Sequence, residues 1–127
     1  MKKLFLILAV MLPLVAIAKG PQIKFLNTEH EFGNIKEKGG KVTTEFKFVN
    51  VGDAPLVILS ASASCGCTDP SFEDAPVEPG DTSCIKVTYN PNGRPGEFNK
   101  IIRVKSNSEK DATSRVRIKG VVIPEHP

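Results

Sequence analysis

The sequence predicts an all-β protein, an antiparallel β-sandwich, on three observations. Short runs alternate apolar and polar residues with a period of two. Glycines and prolines, ten of each, punctuate the chain between those runs. No stretch sustains a helical period.

Met1, Lys2 and Lys3 give a positive start, Leu4 to Val15 is apolar apart from Pro13, and Ala16-Ile17-Ala18 supplies a small-x-small site. This is the layout of a secretory signal peptide, with an apolar run too short to span a bilayer comfortably. Cleavage is expected between Ala18 and Lys19, which makes 1–18 a signal segment and 19–127 one domain. A retained anchor is the competing reading, and these flanks disfavour it. No cysteine follows the apolar run to carry a lipid, and no second long apolar stretch follows, so a soluble, periplasmic or secreted protein is expected.

A less regular strand is expected over Ile23–Phe32, interrupted near Asn27. "KVTTEFKFVN" (41–50) puts Val42, Thr44, Phe46 and Phe48 on one face and Thr43, Glu45 and Lys47 on the other, a half-buried strand. "VGDAP" (51–55) is a turn, and "LVILSASA" (56–63) begins apolar, as a strand buried on both faces would. "TSCIKVTYN" (82–90) points Ile85, Val87 and Tyr89 inward and Cys84, Lys86 and Thr88 outward. After the turn cluster "PNGRPG" (91–96), "EFNKIIRVKS" (97–106) offers Phe98, Ile102 and Val104 to the core. Beyond the polar loop 107–113, "SRVRIKGVVI" (114–123) turns Val116, Ile118 and Val122 inward, and the tail "PEHP" is expected to fray.

Strands at this spacing in a chain of this length fit an immunoglobulin-like sandwich of about seven strands. The antibody-type signature is missing, because the chain has no tryptophan. No internal repeat or low-complexity segment is visible.

The segments "NVGDAPLVI", "SCGCTDP", "PVEPGD", "IKVTYNPNGRPGEF", "VKSN" and "IKGVV" occur in that order between residues 50 and 122. In this the chain resembles the exported bacterial family called domain of unknown function 1573. More distantly it is similar to immunoglobulin-like modules of cilium- and centrosome-associated proteins and of major sperm protein. The resemblance implies a sandwich fold and export, and no particular chemistry. It assigns no role to Cys84, which stands outside its motifs.

Charge and the reactive residues bound the function. Removing residues 1–18 takes away Lys2 and Lys3 and no acid, lowering the formal charge from +3 by two, to +1. Such a chain has no electrostatic footprint for nucleic acid. Its three cysteines cannot all pair within one chain. Cys65 and Cys67 flank Gly66 and, on an extended strand, point the same way. They can serve a soft ion such as copper or zinc, a redox couple, or a structural turn with an inert disulfide. A structural zinc site needs more ligands than are visible nearby, so no metal and no cofactor is expected. His30, between Glu29 and Glu31, is the one plausible histidine for a Cys-His hydrolase, and a solvated edge residue is the simpler reading. Asp69, Glu73 and Asp74 are expected to share a loop that lacks the spacing of a calcium site, and a solvated acidic loop is the simpler reading. With no nucleophile elbow and no phosphate-binding glycine loop, enzymatic activity is not expected.

Arg103 and Lys105 share one outward face, and Arg115, Arg117 and Lys119 share that of the next strand. In a hairpin these five cations form a basic surface for an acidic envelope protein or an anionic envelope polymer. The alternative is that they guard exposed strands against unwanted sheet pairing. The reading is therefore an exported, non-enzymatic immunoglobulin-like module of a Gram-negative-type envelope, with a role in protein interaction or assembly. The alternative is a thiol-redox or soft-metal handling protein centred on Cys65 and Cys67.

Overall fold

The computed structural model describes residues 19–125, so the expected signal segment with Ala18, and His126 in the tail, lie outside the described residues. Eight strands follow in order: β1 (Ile23–Phe25), β2 (Glu29–Lys36), β3 (Val42–Asn50), β4 (Ile58–Ala63), β5 (Thr68–Phe72), β6 (Thr82–Tyr89), β7 (Gly96–Ser106) and β8 (Thr113–Ile123). They form two four-stranded sheets, one ordered β1-β3-β6-β5 and the other β2-β8-β7-β4. The described residues contain no helix.

The alternating runs behave as their period requires. Phe46 and Phe48 from β3, Ile85, Val87 and Tyr89 from β6, Ile102 and Val104 from β7, and Val116, Ile118 and Val122 from β8 are all buried. Both sheets thus turn one face of each strand inward, as a sandwich needs. Tyr89 of one sheet stacks on Phe98 of the other, with ring centroids 4.1 Å apart and planes at 14°. Gly120 lies opposite Phe98 across the β7–β8 ladder. A Cβ there would come within 2.8 Å of the Phe98 ring and 2.9 Å of the Gly33 carbonyl oxygen, so only glycine leaves room for both.

The first strand region is broken near Asn27, as its irregularity suggests, and its halves β1 and β2 enter different sheets. Three expectations need correction. The sandwich is not wholly antiparallel, because β2 pairs β8 in parallel. The "LVILSASA" segment is not buried on both faces. Leu56 enters the core through a bridge to Val77, but a register shift between Ile58 and Ser60 turns Leu59 out to 63 % exposure. The segment then runs as an edge strand paired with β7 alone. Third, Asp69 does not share a loop with Glu73 and Asp74. It lies in β5, which pairs β6 and was hidden by Pro70, a residue that edge strands tolerate.

Candidate functional site

Two places carry the chemistry read from the sequence. The first is the Cys-Gly-Cys-Thr step that takes the chain from β4 in one sheet to β5 in the other. Cys65 and Cys67 are joined by a disulfide, with S–S 2.01 Å and Cα–Cα 5.1 Å. The Cys67 N–H donates to Cys65 Sγ at 3.2 Å, the Thr68 N–H to the Cys65 carbonyl at 3.1 Å, and the Asn90 N–H to the Cys67 carbonyl at 2.9 Å. The step is thus a tight turn pinned to the end of β6, with Cys67 buried in the core cluster. Among the described residues, no group of three His, Cys, Asp or Glu side chains is placed to hold a metal ion.

Cys84 is not part of this turn. It sits on β6 opposite Lys47, five residues from the Tyr89 position that faces Thr68. That is roughly 17 Å along a strand. Its thiol is free and partly exposed. Burial, then the carboxylates of Glu45 and Glu73, push its pKa above the ordinary thiol value, while Lys47 and Lys86 pull the other way. His30 lies in edge strand β2 with its ring against Phe32, centroids 4.5 Å apart.

The second place is the outer face of the β2-β8-β7-β4 sheet. β7 and β8 form an antiparallel pair that puts Arg103 directly opposite Arg115 and Ile101 opposite Arg117. Asn99 lies opposite Lys119, and Lys105 opposite Thr113. The five cations therefore occupy adjoining strands, but they do not share one environment. Glu29 on β2 reaches Lys119 at 3.4 Å and Arg117 at 3.9 Å. Arg117 also donates to Asn99 Oδ1 at 2.8 Å. Among the described residues no acid pairs with Arg103, Lys105 or Arg115. Like charges directly opposite on a sheet repel, so Arg103 and Arg115 form an uncompensated pair. Beside them Ser62, Ser64 and Ile101 complete the rim of a shallow hollow of about 310 Å³. The edge-guarding explanation does not suit these cations, because β7 and β8 are the two inner strands of their sheet.

The sequence reading passed over Asn50, which is wholly buried. Its Nδ2 donates to the carbonyls of Ala54 at 2.7 Å and Val77 at 2.9 Å. Its Oδ1 accepts from the N–H groups of Gly52 at 2.9 Å and Gln22 at 3.3 Å. The available signal was its place before a Gly-Asp turn, where asparagine side chains bond backbone two residues on.

An immunoglobulin-like sandwich with an interior closed by Tyr89 and Phe98, and its polar features on edges and outer faces, defines the class. The chain belongs to the family described as protein of unknown function (DUF1573), which matches residues 23–122. A crystal structure of a protein of unknown function from Porphyromonas gingivalis W83 is similar at TM-score 0.72 and 15 % identity, over 88 % of this chain and 51 % of that one. This chain therefore spans about half the length of that relative. The ASH/PapD-like domain 7 of human CEP192 is similar at TM-score 0.62 and 15 % identity, over 86 % of this chain and 89 % of that one. The Escherichia coli chaperone DraB is similar at TM-score 0.54 and 15 % identity, over 84 % of this chain and 57 % of that one. At these identities the likenesses establish the fold alone. No curated protein matches the chain by sequence. Among the described residues no helix is long and apolar enough to cross a membrane.

Proposed function

We propose that the mature chain is a non-enzymatic binding module of the bacterial envelope, exported after cleavage between Ala18 and Lys19. It holds an acidic partner on the outer face of the β2-β8-β7-β4 sheet. The observation that carries this reading is the juxtaposition of Arg103 and Arg115 across the central β7–β8 ladder, with no neutralising acid among the described residues. An unpaired cationic pair on inner strands costs stability in the isolated domain and guards no edge. An arriving carboxylate would relieve it, and arginine suits that recognition because its planar fork matches a carboxylate bidentately. Similarity to chaperone and ASH/PapD-like domains is in keeping with a binding role. Cys65 and Cys67 are read as a structural closure of the β4–β5 turn.

The test is affinity capture from native envelopes after chemical cross-linking, with the intact protein and with Arg103→Gln/Arg115→Gln. The same partner should be recovered in much lower yield with the variant, and raised salt should imitate the loss. Equal recovery by both proteins at low salt removes this surface from the function.

A further inference from the structure

The geometry points to β4 as the docking edge, where an extended segment of the partner, acidic at every second residue, adds as a further strand. This inference rests on the binding-module reading and names its partner class.

The four sheet edges are not equally protected. β1 has only three residues. β5 carries Asp69 and Pro70 within five residues. β2 carries Glu29, Glu31 and Lys36 and is bulged between Glu31 and Asn34. Short length, proline, charge and bulges are the ordinary devices against strand addition. β4 has one of them, the register shift between Ile58 and Ser60. From Leu59 to Ser64 the sequence LSASAS contains no charge and no proline. On one side Ser60 to Ala63 pair β7, and among the described residues no turn or loop backbone hydrogen bond ends on 59–64. β4 is the last strand of its sheet, so the N–H and C=O groups turned away from β7 have no ladder partner.

The surface behind that edge selects the partner's charge. Ser60 lies opposite Lys105 and Ser62 opposite Arg103 on the outward face. Both serines are short, so the two long cationic side chains can lean over them toward the edge. Repulsion from Arg115 drives Arg103 in that same direction. A strand added beyond β4 lies about 10 Å from β7, two strand spacings away. A cation leaning outward and a carboxylate leaning back span that gap. Acidic residues at the two positions facing Ser60 and Ser62 would meet Lys105 and Arg103. The alternate residues would lie beside Ala61 and Ala63, which pack against the core, and so should be small or apolar. The acidic β2 of a second copy is the weaker occupant, because Glu29 already serves Arg117 and Lys119 and the strand is bulged.

The experiment uses the mature protein and a fluorescein-labelled synthetic decapeptide alternating Glu and Val. Two control peptides accompany it, one with Lys for every Glu and one N-methylated along one backbone edge. The Glu peptide should bind saturably. Binding should fall at least tenfold in Arg103→Glu/Lys105→Glu, which should take the Lys peptide instead, and in Ser62→Glu, which sets a like charge opposite the peptide's acid. The N-methylated peptide should fail, and amide exchange should slow at Leu59–Ser64. Equal binding of the N-methylated peptide, or protection confined to β2, overturns strand addition at β4. Concentration-dependent self-association that the Glu peptide does not compete also overturns it, by giving the edge to a second copy. The two readings fail separately: if capture needs Arg103 and Arg115 but the peptide does not bind, the module stands and the β4 mode falls. Peptide binding with unchanged capture has the opposite meaning.

Discussion

The Asn50 side-chain amide donates to the Val77 carbonyl at 2.9 Å across 27 residues of sequence. Val77 in turn exchanges backbone hydrogen bonds with Leu56, at 2.7 and 2.9 Å. The Asn50 backbone joins the same knot, donating to the Asp81 carbonyl at 3.0 Å and accepting from the Gly80 N–H at 2.8 Å. One buried side chain therefore ties the end of β3 to the segments before β4 and β6. Replacing it leaves the Val77 carbonyl its Leu56 N–H but strips the half-buried Ala54 carbonyl and the Gly52 and Gln22 N–H groups of their partner, at about 1–3 kcal/mol for each group left unsatisfied. Asn50→Ala should destabilise the domain by about 3 kcal/mol or more in urea unfolding. A loss within about 0.5 kcal/mol, as at ordinary surface sites, would show that the knot contributes nothing.

Phe46 tests the core itself. It is fully buried on β3 opposite Ile85, so Phe46→Ala should cost about 3–5 kcal/mol. Thr43, on the outward face of the same strand, pairs only with the Thr88 hydroxyl at 3.1 Å. Thr43→Ala should therefore change stability by less than about 1 kcal/mol. Equal losses at the two positions would contradict the inward–outward register of β3.

What the sequence made legible was what one strand determines by itself. The inward set Ile85, Val87 and Tyr89 follows from a period of two, and no neighbour is needed to see it. What it hid depends on pairing with distant chain. The parallel β2–β8 ladder, the exposure of Leu59 and the capture of Arg117 and Lys119 by Glu29 all follow from registers between segments far apart in sequence. β5 was missed for a different reason: Pro70 argues against a central strand and is silent about an edge. In the candidate site, the sequence showed the five cations and the cysteine pair. Only the register revealed which cations lack an acid.

Gly52 and Lys19 bear on the proposed export. The Lys19 backbone nitrogen donates to Asp53 Oδ2 at 2.8 Å, the Asp53 N–H donates to the Gly20 carbonyl at 3.0 Å, and the Val51 N–H to the Gln22 carbonyl at 2.8 Å. Residues 19–22 thus dock on the turn after β3, and a Cβ on Gly52 would lie 2.0 Å from the Gly20 carbonyl oxygen. Cleavage after Ala18 would place an α-ammonium at the Asp53 carboxylate, a stronger, charge-assisted bond. Intact-mass analysis of exported protein should give a chain that begins at Lys19 and carries no lipid. Gly52→Ala should destabilise it by about 1–3 kcal/mol through crowding of that docked segment. A membrane-bound product that keeps Met1 would sink the export reading.

The cysteines separate by pairing and by reactivity. Unreduced mature protein should show one free thiol, Cys84, and peptide mapping should recover Cys65 linked to Cys67. Because that bond spans one intervening residue, the loop-entropy account gives it little to contribute, and Cys65→Ala/Cys67→Ala should cost about 1–2 kcal/mol. Partner capture should survive this change if the turn is structural, and should follow the redox state of the medium if the pair is a working couple. Cys84 should behave differently again. Burial and the carboxylates of Glu45 and Glu73 raise its pKa, so less thiolate is present at neutral pH than in an unfolded chain. Its reaction with a disulfide reagent at pH 7 should be slower than that of the denatured protein, and the ratio should close as pH climbs above the ordinary thiol range. The same shift has a sign for stability: the folded state prefers the protonated thiol, so the contribution is intact below the unfolded thiol pKa and is lost as pH rises through the folded one. Substituting Glu45→Gln removes one of the carboxylates and should speed the neutral-pH reaction. A Cys84 that reacts at pH 7 as fast folded as denatured would show that neither burial nor these acids restrains it.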